Sequence, residues 1–145
     1  MRRVVVTGIG IVSSIGNNTK EVYNSLIHGK SGITKNEDMA SYGFRSQIAG
    51  NIQLDVSEHV YKRSLRFMGP GAAYAHIAME QAINDSGLTE HEVSNIRTGL
   101  VAGSGGPSTS AMLTAHQTVL KNSSPKRIGP FAVPKCMSST ISANL

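Results

Sequence analysis

Tryptophan is absent from this 145-residue chain, cysteine occurs once, and aromatic residues make up only 5%. A lone thiol at Cys136 excludes an internal disulfide framework and suits a reducing compartment, so the expected localisation is cytoplasmic. Charge is also scarce, at 16% of residues, against roughly 25% in an average soluble domain. With so few charges, part of the outer face is expected to be covered by more protein. No apolar stretch approaches the roughly 18 residues of a membrane span. The opening Met1 to Gly8 breaks at glycine too early to be the core of a signal peptide. Basic runs such as Pro125-Lys126-Arg127 are short and lack interleaved aromatics, which disfavours nucleic acid as a partner. The five histidines, at 28, 59, 76, 91 and 116, fall at no metal-ligand spacing, so neither a metal nor another cofactor is expected.

What is present is ordinary globular material. Apolar residues make up 39%, supplemented by 15 glycines, and 14 Lys and Arg outweigh 9 Asp and Glu to give a net charge of +5. That composition implies one folded unit over residues 1–145 and favours acidic partners without naming one.

The β-branched run Val4 to Ile11 reads as a buried strand of a parallel sheet. Asn18 and Glu21 have capping-box spacing for a helix over Thr19–His28, with Val22, Tyr23, Leu26 and Ile27 on one face and Gly29 as its left-handed stop. Residues 31–55 are irregular, with a weak strand near Gln47 to Ile52. Lys62 to Phe67 fits one helical turn. Pro70 opens a helix through Ser86 that Gly87 ends, and its alanines predict close packing. Thr89 and Glu92 repeat the capping-box spacing, Thr98 to Gly103 reads as a second strand, and a helix follows over Thr109–Leu120. From Pro134 onward, Met137, Ile141 and Leu145 share a face at helical spacing. The apolar pattern is unfinished at Leu145, and the sequence is expected to be incomplete. Strands alternating with helices indicate the α/β class.

Two glycine motifs invite chemistry. Gly8-Ile9-Gly10 lies where a dinucleotide fingerprint would lie, but Ser13 holds the third glycine position and the helix begins late. The expected role is structural, small residues letting the strand cross close to a neighbouring backbone. Ala102-Gly103-Ser104-Gly105-Gly106 lacks one glycine of a nucleophile elbow, and no carboxylate follows Glu92 to orient His116 as a base. It reads instead as a strand-end turn allowing close approach of a ligand or another element. Cys136 lies beside Lys135 in a mostly apolar helical segment, where packing is the expected role.

Taken in order, Arg3-Val4-Val5-Val6-Thr7-Gly8-Ile9-Gly10-Ile11-Val12-Ser13-Ser14-Ile15-Gly16-Asn17-Asn18, Ser31-Gly32-Ile33, Arg66-Phe67-Met68, Gly99 to Gly106, and Ile128-Gly129-Pro130-Phe131 resemble the amino-terminal signature of β-ketoacyl-(acyl carrier protein) synthases. The Gly-Ser-Gly-Gly turn is most similar to the synthase I branch. The resemblance implies a thiolase-like fold, of which residues 1–145 form part of the first of two mirrored α/β halves, in a homodimer. It implies an acyltransferase of fatty acid biosynthesis that condenses an acyl thioester with malonyl-acyl carrier protein. The family's nucleophilic cysteine falls beyond Leu145, so no catalytic residue is assigned here and the chain alone is expected to be inactive. Gly106 matches a glycine beside the acyl-chain pocket, and Met137 a pocket residue contributed across the dimer interface. Pro107 after the double glycine departs from the family pattern. Lys62, Arg63 and Arg66 match the basic cluster that meets acyl carrier protein, and Lys126 and Arg127 match a second. A carrier-protein-binding module without chemistry and a small nucleotide-binding α/β protein remain the alternatives.

Overall fold

Elements whose signals are local form where the sequence places them. The computed structural model describes residues 3–145. Helix α1 spans Thr19–Ile27. Asn18 Oδ1 accepts from Glu21 N at 3.0 Å, while the Glu21 carboxylate reaches back to Asn17 N and to Asn18 Nδ2, each at 2.8 Å. The return bond thus falls one residue earlier than in a standard capping box. Gly29 follows with φ +61°, a left-handed position that glycine takes without Cβ strain.

Helix α3 runs Pro70–Ser86 and ends on Gly87 at φ 70°. Proline in the first turn gives up an amide that the helix would leave unpaired anyway. The capping residues Thr89 and Glu92 open α4 (Glu90–Val93), with Glu92 Oε2 accepting from Thr89 N at 2.9 Å and from Thr89 Oγ1 at 2.7 Å. Ser108 accepts from Ala111 N to cap α5 (Thr109–Asn122), which stops on Ser123 at φ 48°.

The irregular stretch is more ordered than its composition implies. Strand β1 (Ile33–Lys35) pairs antiparallel with β2 (Ile48–Gly50), Thr34 opposite Ala49. Between them lies α2 (Glu37–Ser41), capped by Asn36 accepting from Met39 N. The expected strand near 47–52 is therefore β2, and its partner and the intervening helix are additions to the sequence reading. The turn expected at 62–67 is a single 3₁₀ turn at Ser64–Arg66.

Three expectations are corrected. Val4–Ile11 and Thr98–Gly103 belong to no ladder: a strand needs a neighbour to hydrogen-bond, and none pairs with either among the described residues. Val4, Val5 and Val6 are 94%, 75% and 81% exposed, and Val101 stands fully in solvent. The terminal helix is broken into α6 (Ala132–Cys136) and α7 (Thr140–Asn144) by Met137, whose ψ of 136° is extended. Thr140 Oγ1 donates to the Pro134 carbonyl across the break, folding α7 back. Met137, Ile141 and Leu145 therefore share no continuous helical face.

The second half of the first extended segment is pinned to α3. Ile9 N donates to Asp85 Oδ2 at 2.9 Å and Ile11 N to Gln81 Oε1 at 3.1 Å. Four helical residues rise about 6 Å and two extended residues about 6.6 Å, so one row of α3 matches alternate amides. Preceding each of these amides, a Cβ on Gly8 would overlap the Ala82 carbonyl, and one on Gly10 the Ala78 carbonyl. The two glycines exist for this backbone crossing.

The core gathers beside the same helix. Val60, Met68, Ala72, Ala73 and Ile77 are buried together, flanked by Val12, Leu54, Val56, Leu65 and Ile141. Helix α7 packs on α3, and α6 on α5. The accessible surface of 11081 Å² exceeds by about half the ~7,200 Å² expected of a compact monomer of this mass. On α1, Tyr23, Leu26 and Ile27 are more than half exposed and only Val22 is buried. The low charge read from the sequence thus corresponds to apolar faces left open.

Candidate functional site

The amino ends of α3 and α5 converge with the α6–α7 break around a cavity of about 250 Å³. Gly69 and Pro70 contribute from α3, Ser108 to Ser110 from α5, and Lys135, Met137 and Thr140 from the break. Gly106 closes one side. The structure thus brings Gly106 and Met137, 31 positions apart in sequence, into the lining of one cavity. No atom lies within 4 Å of the position a Gly106 Cβ would take, so a side chain there would project into open space.

Ser104 lines this cavity too, but its hydroxyl donates to the carbonyl of Gly106 at 2.8 Å. The residues lining the cavity include no histidine, so a serine–histidine arrangement has no base here. Cys136 is a half-buried free thiol at the end of α6, between two lining residues and not itself a lining residue. Among the described residues no cluster of three or more His, Cys, Asp or Glu could hold a metal. The two perturbed carboxyls lie elsewhere. Asp55 is held below its ordinary range by hydrogen bonds from the Ser57 hydroxyl and amide, and Glu92 by those from the Thr89 amide and hydroxyl. Gly8 and Gly10 face α3 backbone, which leaves a nucleotide phosphate no room at that motif.

Lys62, Arg63 and Arg66 are all exposed on the 3₁₀ turn and its entry. In 3₁₀ geometry residues three apart eclipse, so Arg63 and Arg66 share a row and Lys62 is offset from it, unlike the single helical face expected. Aromatic rings brace both arginines: Arg63 Cζ lies 6.0 Å from the Tyr61 centroid and Arg66 Cζ 5.9 Å from that of Phe131. Lys126 and Arg127 are exposed on a second 3₁₀ turn, Pro125–Arg127.

Two residues without an assigned role in the sequence reading belong to this region. Lys135 lines both the cavity and an adjoining groove of about 420 Å³ between α3, α5 and α6. Phe131 lines that groove and stacks edge to face with Phe67, centroids 5.0 Å apart at 89°. Their four-residue spacing on α6, closed by the bond from Lys135 N to the Phe131 carbonyl, was the available signal.

Comparison with known proteins identifies relatives along the whole chain. Over 145 residues the chain is 51% identical to 3-oxoacyl-[acyl-carrier-protein] synthase 1 of Haemophilus influenzae, covering all of this chain and 36% of that protein. It is 44% identical over 146 residues to the Escherichia coli K12 protein of the same name, again spanning 36% of it. Among solved structures it aligns over 99% of its length with 36% of a β-ketoacyl synthase from Burkholderia phymatum STM815, with a TM-score of 0.79 and 26% identity. The ishigamide ketosynthase/chain length factor aligns with a TM-score of 0.85 at 24% identity, which bears on the fold alone. The fold is accordingly thiolase-like, and the chain carries part of it. The family pattern described as "Beta-ketoacyl synthase, N-terminal domain" matches residues 1–145, and the chain belongs to the β-ketoacyl synthase family.

Proposed function

We propose that this chain serves as the amino-terminal part of a 3-oxoacyl-(acyl carrier protein) synthase that elongates fatty acids. The observation that carries this reading is identity of 44–51% along the whole chain to synthases of that name. In the proposed reaction a cysteine thiolate takes the acyl group from its thioester. Malonyl-acyl carrier protein then loses carbon dioxide, and the resulting carbanion attacks the acyl carbonyl, forming the 3-oxoacyl thioester and releasing the thiolate. The residues of this chain do not supply that thiolate or its partners. They shape and address the site: Gly106 and Met137 wall the acyl pocket, while Lys62, Arg63, Arg66, Lys126 and Arg127 receive the acidic carrier protein.

Open apolar faces on α1 and on residues 4–6 support an assembly in which further protein covers them, and a homodimer is the form the family resemblance implies. No helix among the described residues is long and apolar enough to cross a membrane. A cytoplasmic enzyme is the reading that the lone thiol of Cys136 supports.

The test is to supply acyl- and malonyl-carrier protein to the whole protein and, separately, to residues 1–145, and to follow carbon dioxide release. Release by the whole protein and none by residues 1–145 is expected. Carrier-protein binding by the whole protein without any release would replace this reading with a carrier-binding module.

A further inference from the structure

We propose that Phe131 is a positioning residue for carrier-protein docking, its ring directing the Arg66 guanidinium and fixing the 62–66 turn against the segment that bears Lys126 and Arg127. This rests on the docking role proposed above.

The ring of Phe131 is half-buried at the start of α6 and meets two partners from the other turn. Phe67 presents to it edge to face, centroids 5.0 Å apart, and Arg66 Cζ lies 5.9 Å from its centroid. Edge-to-face pairs and cation–ring contacts at this range both have defined directions, so together they set where the guanidinium sits. Arg66 is otherwise unrestrained by charge: the ion pair found among the described residues is Lys35–Glu37. A ring contact leaves the charge of Arg66 and its N–H donors available to an anionic partner, which a carboxylate contact would not.

The path from Phe131 to the second basic cluster is short, with Ile128, Gly129 and Pro130 between them. Arg127 ends a 3₁₀ turn, Gly129 follows at φ 80°, and Pro130 has its φ fixed by its ring. Whatever holds Phe131 against Phe67 and Arg66 therefore also tethers the two clusters within a few residues of each other. An acidic partner touching both would meet a preorganised pair of sites, with less side-chain freedom lost on binding.

A double-mutant cycle in the whole protein separates the possibilities. Phe131→Leu, Phe131→Tyr, Arg66→Ala and Phe131→Leu with Arg66→Ala are titrated with acyl carrier protein at several salt concentrations. Phe131→Leu should weaken binding about two- to fivefold, the range of an exposed cation–ring contact, although it removes no charge. Phe131→Tyr should bind like the parent, and Phe131→Leu should add little once Arg66 is alanine. Arg66→Ala, but not Phe131→Leu, should flatten the salt dependence. Should Phe131→Leu fail to fold, Phe131→Met takes its place in the cycle. Parental binding by the ring-less variant, or its full effect persisting on the Arg66→Ala background, overturns the positioning role alone. Parental binding by Arg66→Ala overturns both that role and the docking reading.

Discussion

Gly10 meets Ala78 backbone to backbone: a Cβ on the glycine would overlap the alanine carbonyl. No rotamer change relieves such a contact, because neither partner is a side chain. Gly10→Ala should therefore destabilise the whole protein by about 1–3 kcal/mol, the usual range for overpacking. Gly99, with nothing within 4 Å of its Cβ position, is the control. Gly99→Ala should stay within about 0.5 kcal/mol of the parent. Urea unfolding midpoints at constant slope give both numbers.

Glu92 provides a pH-dependent contact. Its carboxylate accepts from the amide and hydroxyl of Thr89, so the folded form holds its pKa below the ordinary 4.5. A depressed carboxyl stabilises above the unfolded value and loses that contribution as pH falls through the folded one. Protection of α4 amides from hydrogen exchange should hold near neutrality and decline below pH 4.5. Glu92→Gln should show weaker protection at neutrality and a flatter profile. A parental profile in that variant would show that the cap does not hold α4.

Gly106→Met should shorten the acyl chains that the whole protein accepts. The new side chain would meet no neighbour at its Cβ and would stand among the residues lining a cavity of only about 250 Å³, Met137 among them. Product chain-length distributions of parent and variant decide the matter. Identical distributions would place the acyl chain elsewhere.

Reversing Lys62, Arg63 and Arg66 to Glu should slow association with acyl carrier protein, most at low salt, where attraction between exposed charges is least screened. Each alanine substitution alone should cost only about 0.2–1 kcal/mol, as exposed pairs do. Stopped-flow association rates against ionic strength provide the check. A triple variant with parental rates and salt slope would remove this turn from the docking surface.

The sequence was legible wherever the physics is local. Asn18 and Gly29 bound α1, Pro70 and Gly87 bound α3, and each signal acts within a few residues of the backbone it satisfies. Val4 to Ile11 and Thr98 to Gly103 were misjudged because a ladder depends on a distant partner, which β propensity does not provide. The α2 helix inside the β1–β2 excursion had a signal in Asn36 followed by Glu37 and Asp38, a cap and an acidic first turn. It was obscured by the surrounding turn residues. At the site, the likeness in the residues marked Gly106 and Met137 separately, with Met137 expected across a dimer interface, and did not foretell that both would line one cavity of the same chain. Phe131 lies in one of the segments that carry the likeness, but its contacts were not legible there, since they depend on where Phe67 and Arg66 arrive in space.

The run Val4-Val5-Val6 is exposed and joins no ladder among the described residues. Three consecutive β-branched side chains beside unpaired backbone groups form a template that another molecule can join by adding a strand. Glycines at 8 and 10, held against α3, limit that template to the residues before them. Residues 1–145 produced alone will therefore tend toward concentration-dependent self-association that starts at this edge. A charged residue or proline placed within 4–6 would improve solubility without touching the cavity.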